Sequence, residues 1–315
     1  MRAIGVMTKR TAKLYLKNPL SLLFSFIYML LFIVMIAVFL GDYMATSMVE
    51  LFAGVKGMDF SNIRWLVDTT SMAGVLMINC ILVPLNVLTI MVEDKSSHCF
   101  DSFLVTAVSR NRLVLGYWLA PFLVGTILNT LCLFISQGFI VANGGHWLSL
   151  QSNIEMIGLI SANTFSTTSI MFVIAMLITS ASLYNTFTGI MSALVGFITG
   201  AFLPIGIFPD RIQRIFALIP AHHGATLMRE IMTKEPLKAV FGGVKNQTIN
   251  GSFLSAQEII ELYTTENGII YTFNRTQVTI AMMLTMVIGS GAVFLMFSII
   301  WLRRFKKTIN HYNKS

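Results

Sequence analysis

The stretch from Thr70 to Val92, TSMAGVLMINCILVPLNVLTIMV, contains no acidic, basic or histidine residue. Because a helix rises about 1.5 Å per residue, a helix of this length crosses the roughly 30 Å hydrocarbon core of a bilayer. Five other stretches share both properties, and they cover residues 20–40, 113–137, 156–180, 186–205 and 277–301. The sequence therefore predicts an all-α integral membrane protein with six transmembrane helices.

The overall composition agrees with this class. Hydrophobic residues make up 55% of the 315 residues, and charged residues only 11%. Soluble domains carry about 25% charged residues, and a single soluble core of this size cannot bury so much apolar surface. Lipid is therefore predicted to solvate much of the chain.

Basic residues are concentrated at the two ends of the chain, which has a net charge of +8. Residues 1–18 and 302–315 contain several Lys or Arg and no Asp or Glu. An even number of spans places both ends on one side, and the positive-inside rule makes that side the cytoplasmic face of the cell membrane. Both clusters adjoin apolar helices, which predicts contact with anionic membrane lipid and excludes a nucleic-acid binder.

The spans divide the chain into four predicted segments. A basic interfacial helix comes first, then spans one to five, then a polar extracellular insert, and finally span six with a basic cytoplasmic tail. A cytoplasmic helix, a tight turn and a re-entrant segment are expected between spans, and one short helix within the insert. The segments are 1–18, 19–232, 233–276 and 277–315, and the smaller features are 93–112, 181–185, 206–232 and about 255–264.

The segment 93–112, EDKSSHCFDSFLVTAVSRNR, has the pattern of a short amphipathic helix. Its apolar stripe at helical spacing consists of Phe100, Phe103, Leu104, Ala107 and Val108. Acids lie toward its beginning and bases toward its end, as the helix dipole favours: Glu93, Asp94 and Asp101, then Arg110 and Arg112. Periodicity leaves two interpretations open, a helix lying on the inner leaflet or a docking element for a cytoplasmic partner.

The segment 200–231, GAFLPIGIFPDRIQRIFALIPAHHGATLMREI, is interrupted by Pro204, Pro209 and Pro220. Proline cannot continue a helix, so this region is predicted to be broken into short pieces. Irregular backbone at membrane depth is tolerated only against protein or a water-filled cavity. The segment is therefore interpreted as a re-entrant gate at the outer mouth of a pathway, with a plain extracellular amphipathic loop as the alternative.

Four amides lie within the spans, at Asn79, Asn86, Asn129 and Asn163. Such groups either bond between helices or line a substrate path, and both interpretations stay open. Adjacent His222 and His223 cannot share one helix face as metal ligands do, so no metal site is expected.

Several kinds of machinery are missing from the sequence. The six predicted spans hold no ionisable residue of the kind that ion-coupled carriers use, and no regular polar stripe of the kind that a water-filled channel needs. No G-x-x-x-x-G-K-[ST] loop is present to bind nucleotide phosphates. The chain is therefore not expected to be an enzyme, and any uphill transport must draw energy from another polypeptide.

This arrangement resembles the permease subunits of ABC-2-type ABC transporters over nearly the whole chain. The segment MVEDKSSHCFDSFLVTAVSRNRLVLG at 91–116 is similar to the family's coupling segment, and 200–230 is similar to its broken segment, with Arg229 in place. The basic lead before Asn18 also fits. Departures are Asp94 in place of a basic residue, Ala107 in place of Pro, Tyr117 in place of Lys, and His98–Cys99 in place of Gly-Thr.

The resemblance implies half of the membrane pore of an exporter, completed by a second permease in a homodimer or a paralogous heterodimer. Separate ABC ATPase subunits would hold ATP and Mg²⁺, and this chain would hold no cofactor. The ATPase-coupling residues it implies are Glu93, Asp94, Phe100, Asp101, Phe103, Leu104, Val108 and Arg110. Uncharged spans rich in Phe and Met suit a hydrophobic or amphipathic substrate, such as a drug, a lipid-like compound or a peptide.

One alternative comes from a different functional class. A membrane sensor or assembly factor would use the insert at 233–276 to bind an external partner and would transport nothing. An ATPase gene beside this one would favour export, whereas a neighbouring kinase or cell-wall enzyme would favour the alternative.

Overall fold

The computed structural model shows a bundle of long helices joined by short connections. Among the residues that it describes, six helices are long and apolar enough to cross a membrane, which confirms the predicted class. These spans are Pro19–Leu51, Phe60–Ser96, Asn111–Ala142, Leu150–Leu177, Ala181–Ile198 and Ile280–Trp301. The structure describes residues 2–100, 109–203, 206, 208–249, 252–273 and 276–312.

Helix α1 (Arg2–Lys17) precedes the first span and packs against the start of the third. It is followed by α2 (Pro19–Met35), a π-helical turn (Ile36–Leu40) and α3 (Gly41–Leu51). Asn18 separates α1 from α2, because its side-chain oxygen accepts hydrogen bonds from the backbone of Leu20 and Ser21 and caps α2. The first span therefore extends eleven residues beyond the predicted end at residue 40, to Leu51.

Helix α4 (Ile63–Ser96) lies at the centre of the bundle. It packs against α2, against α5 (Arg110–Ala142), α6 (Leu150–Leu177) and α7 (Ala181–Ile198), and against α9 (Pro220–Phe241). In its most apolar 18-residue window, 83% of the residues are buried, compared with 22% in the span containing α2 and 17% in α7. The remaining helices are thus arranged around α4.

The boundaries of the fourth and fifth spans differ from the predicted ones. Helix α6 ends at Leu177 and α7 begins at Ala181, so the connecting turn is at 178–180 rather than 181–185. Ser180 sets this boundary, because its side chain accepts a hydrogen bond from the backbone N–H of Leu183 and caps α7.

The segment after α7 is broken where the prolines predict. Helix α8 (Asp210–Phe216) has Pro209 at its N-cap, and Pro220 is the first residue of α9, where its missing N–H costs no hydrogen bond. Pro204 lies outside the described residues. Because α9 continues to Phe241, the predicted boundary between the re-entrant segment and the insert, at 232/233, falls inside a helix.

The insert is a small folded unit after α9. A hairpin pairs β1 (Gln247–Ile249) with β2 (Ser252–Leu254), and a second pairs β3 (Thr272–Phe273) with β4 (Thr276–Gln277); both are antiparallel. Between them, α10 (Ala256–Glu266) matches the predicted helix closely. Its buried Ile259 and Tyr263 share a second core with Phe52, Val67 and Phe241, which fixes the insert to the start of α4.

Helix α11 (Ile280–Tyr312) contains the sixth span and packs mainly on α6 and α9. We call the end of the bundle that carries α1 the basic end, and the opposite end, which carries the insert, the insert end. Helix α4 runs from the insert end at Ile63 to the basic end at Ser96.

The predicted coupling helix does not begin at Glu93. Glu93 and Asp94 belong to the last turns of α4, which is followed by a turn in which His98 has a φ of 59°. Four predicted coupling residues, Asp101, Phe103, Leu104 and Val108, lie outside the described residues. Arg110 is the first residue of α5.

Candidate functional site

The first group of polar side chains lies where α4 ends. Asp94 is buried, and its two carboxylate oxygens accept hydrogen bonds from both terminal nitrogens of Arg10, at 2.6 and 2.9 Å. The Tyr117 hydroxyl donates to the same carboxylate at 2.6 Å. Arg10 comes from α1 and Tyr117 from α5, so this one carboxylate joins three helices.

The next residue along α4 makes a second set of contacts. The Lys95 ammonium donates to the backbone carbonyls of Ala175 at 2.6 Å and Met176 at 3.2 Å, and also to that of Ile178. These carbonyls are at the end of α6, where the backbone lacks helical partners and the dipole favours a cation. We call Arg10, Asp94, Lys95 and Tyr117 the basic-end junction.

Two acids near a helix C-terminus are unfavourable, because the dipole places partial negative charge there. The junction offsets this for Asp94 by supplying a guanidinium, and the hydrogen bond to Asp94 raises the pKa of Arg10 above its ordinary value. Glu93, by contrast, is exposed. Three consecutive residues thus face three ways, with Glu93 toward solvent, Asp94 toward α1 and α5, and Lys95 toward α6.

The structure therefore separates three of the predicted coupling residues, Glu93, Asp94 and Phe100, into two kinds. Asp94 is held within the chain, and half-buried Phe100 packs on Tyr117 with ring centroids 5.9 Å apart. Only Glu93 among these three side chains is open to a partner. Sequence reasoning treated all three as one docking surface because a single helix was expected across 93–112.

A second candidate region is a cavity of about 220 Å³ between α2, α4 and α7. Phe202, in the turn after α7, stacks on Phe32 of α2 with ring centroids 5.6 Å apart and closes one side. The cavity is almost entirely apolar, and α2 and α7 both present large apolar faces outward. Its lining residues are Tyr28, Leu31, Phe32, Met35, Val75, Ile78, Ser192 and Phe202.

The four amides within the spans do not line this cavity. Asn79 donates to the Cys132 sulfur at 3.6 Å, and Asn129 donates to the Thr164 hydroxyl at 3.3 Å. Asn163 is buried against Gly224, and Asn86 is half-buried. The bonds of Asn79 and Asn129 favour the helix-packing interpretation over a role in a substrate path, whereas the buried side-chain amide of Asn163 bonds no other group in the described part of the chain.

The broken segment carries an arginine whose setting could not be derived from the sequence. Arg229 is 1% exposed, and its Nη2 donates to the Thr199 carbonyl at the end of α7 at 2.6 Å. Within the described part of the chain, no carboxylate lies within ion-pair distance of it. A Cβ added to Gly74 would lie 3.0 Å from the same nitrogen, so Gly74 gives the guanidinium room beside α4.

The two adjacent histidines are buried beside this arginine. The His223 ring nitrogen Nε2 lies 2.8 Å from the Ala217 carbonyl, and both rings contact Tyr271. Within the described ranges, no cluster of His, Cys, Asp or Glu is suitable for a metal ion. Arg229 and the histidines therefore tie α9 to α7, α8 and the end of the insert.

Comparison with known proteins gives one positive finding. Residues 60–302 match the family described as ABC-2 family transporter protein, which is well over half of the chain. No curated protein matches the sequence. The matched range begins just before α4 and includes the junction residues Asp94, Lys95 and Tyr117, the broken segment and the insert. The chain belongs to the ABC-2 transporter family and is a membrane-spanning permease of that type.

Proposed function

We propose that this permease forms one half of the translocation pathway of an ABC exporter for a hydrophobic or amphipathic substrate. A second permease, identical or paralogous, completes the pathway, and separate ABC ATPase subunits bind and hydrolyse ATP with Mg²⁺. The observation that carries the proposal is the basic-end junction. It connects one exposed acid, Glu93 of α4, to three other helices through its two neighbours.

The junction supplies a route for mechanical coupling. ATP binding draws the two ATPases together, and the permeases respond by switching between two rigid-body arrangements. A displacement applied near Glu93 moves the end of α4, and α1, α5 and α6 follow because Asp94 and Lys95 bind them. The predicted docking surface also includes Asp101, Phe103, Leu104 and Val108 at 101–108, and Arg110.

The exposed faces of α2 and α7 support a second permease on that side. These two helices are the least buried of those that flank α4, and the apolar cavity opens between them. A substrate passing between two such faces meets aromatic and aliphatic side chains, which favours an apolar cargo. The Lys and Arg residues at both termini of the chain support a permease that lies in the cell membrane with the basic end of its bundle at the cytoplasmic face.

Export and ATPase recruitment are tested together with two charge reversals. Glu93→Arg inverts the exposed acid at the basic end, and Glu50→Arg is the matched control, because Glu50 is an exposed acid on α3 near the insert end. In affinity purification from native membrane, the wild-type permease and Glu50→Arg are expected to recover an ATPase subunit. Glu93→Arg is expected to recover at least tenfold less while remaining in the membrane.

Reconstitution then measures ATP-driven movement of a fluorescent amphiphile across vesicles. Phe103→Asp is expected to leave membrane insertion intact and to separate ATP hydrolysis from transport. Recovery of no nucleotide-hydrolysing subunit with the wild-type chain, or normal export by Phe103→Asp, would contradict the proposed function.

A further inference from the structure

A larger cavity lies on a part of the bundle that the proposed pathway does not use. It is a groove of about 780 Å³ at the insert end, between α6, α9 and α11. None of these helices contributes to the cavity between α2, α4 and α7. Its volume falls within the roughly 300–1,000 Å³ typical of small-molecule sites.

The walls of this groove are apolar. Three helices supply them: α6 with Gly158, Leu159 and Ala162, α9 with Leu227, Ile231 and Leu237, and α11 with Ile280, Leu284 and Ile288. Ile280 and Ile288 are about half exposed, at 52% and 48%. At Gly158 an added Cβ would meet no atom within 4 Å, so the glycine leaves open space along α6. The groove has the shape and chemistry to hold a hydrocarbon chain.

The insert supplies a roof over the groove. Ile260 and Thr264 of α10, with Ile269 and Ile270 just after it, line the groove from that side. This roof is held firmly, because the other face of α10 is buried in the second core through Ile259 and Tyr263. The insert therefore shields apolar walls that water would otherwise reach at the insert end.

Three charged side chains also line the groove, namely Glu155, Glu230 and Lys234. Gln151 donates to the Glu155 carboxylate at 2.8 Å and orients it. Partial burial raises the pKa of the Glu230 carboxyl, while nearby Lys234 acts in the opposite direction. In the part of the chain that the structure describes, none of the three forms an ion pair.

We propose that this groove binds one zwitterionic phospholipid from the leaflet at the insert end. An acyl chain occupies the apolar space between α6 and α11, beside Gly158. The phosphate pairs with Lys234, and the headgroup ammonium pairs with Glu155 and Glu230. Two acids and one base match a headgroup that carries both charges, whereas an anionic headgroup would face two carboxylates with a single lysine. The lipid is a resident ligand and not the cargo, because the groove is separate from the proposed pathway.

Native mass spectrometry of the purified permease tests the proposal in two lipids with identical acyl chains, phosphatidylethanolamine and phosphatidylglycerol. The wild-type chain is expected to retain one phosphatidylethanolamine about tenfold more strongly than phosphatidylglycerol. Gly158→Phe fills the groove and is expected to abolish that retention. Gly138→Phe is the matched control, because Gly138 is also an exposed helical glycine with open space around it, on α5, and should bind as the wild type does.

A second pair of variants tests the headgroup site. Glu155→Gln with Glu230→Gln is expected to remove most of the tenfold preference, since each charge-assisted hydrogen bond contributes on the order of a tenfold change in affinity. Equal retention of both lipids by the wild type, a preference for phosphatidylglycerol, or unchanged binding by Gly158→Phe would overturn the proposal. The measurement needs no ATPase, so its outcome is independent of whether the proposed export occurs.

Discussion

An aspartate is buried at each end of α4, but its negative charge is compensated by different kinds of partner at the two ends. At the insert end, Asp68 is 0% exposed and accepts hydrogen bonds from Arg64, one turn earlier on the same helix, and from Asn143 at the end of α5. At the basic end, Asp94 takes its guanidinium from Arg10 of α1, which is 84 positions away in sequence. The insert-end charge is balanced mainly within α4, whereas the basic-end charge holds separate helices together.

This difference predicts unequal effects of the same substitution. Asp94 receives three donors, two from Arg10 and one from Tyr117, so the amide of Asp94→Asn must direct its NH₂ group at one of them. We expect a loss of about 2–4 kcal/mol in the free energy of unfolding, because the partly buried Arg10 guanidinium loses the negative charge of Asp94. Unfolding in detergent micelles measures the loss, and faster proteolysis within α1 shows which helix is released.

Asp68→Asn is the matched comparison, with an expected cost of about 1–2 kcal/mol. The new amide can still accept from Arg64, and the Asn143 side chain can rotate to present its oxygen to the new NH₂ group. Arg64 also keeps its contact with Asp42. Equal losses for the two variants, or release of α1 by Asp68→Asn, would break the distinction between the two ends.

Much of the fold follows from the sequence, because membrane spans are set by local hydropathy. The prediction of six spans, the α10 helix and the breaks at Pro209 and Pro220 rested on such local rules. The first, second and third spans were predicted too short, the second because charge was used to end it on both sides, whereas the fifth and sixth were predicted slightly too long. Helix α4 extends through Asp68 at one end and through Glu93, Asp94 and Lys95 at the other. Groups from other helices bind Asp94 and Lys95.

The functional groups were less accessible to sequence reasoning. The pairing of Arg10 with Asp94 depends on where α1 docks, and no periodicity encodes that contact. The groove beside Gly158 likewise requires the packing of α6, α9 and α11 and the position of the insert. Glu93 was predicted as a partner contact because the segment that it begins resembles the coupling segment of ABC-2-type permeases, and this prediction awaits its test.

Lys95→Met extends the comparison along α4 to the next helix. It removes the donor to the last carbonyls of α6 while keeping an apolar stem of similar length, with an expected loss of about 1–2 kcal/mol in the free energy of unfolding. If the junction transmits motion, ATPase activity in the reconstituted complex should persist while transport falls several-fold. Lys95→Arg, which keeps the charge, is the control. Transport that follows the stability loss equally in both variants would assign Lys95 a structural role alone.

The smallest expected effect lies in the insert, which is built to hold its own shape. Ser255 caps α10, because its hydroxyl accepts from the Glu258 backbone, and the Ser255 backbone N–H in turn donates to the Glu258 carboxylate and lowers its pKa. Ser255→Ala should cost about 1 kcal/mol of local stability. In Ser255→Ala, amide hydrogen exchange should become faster within α10 and stay unchanged in α1 and at the end of α4. In the exposed control Gln257→Ala, exchange should stay unchanged in all of these helices. Faster exchange at the basic end would mean that the two ends of α4 communicate through the helix itself, and the contrast between a locally balanced end and a coupling end would then fail.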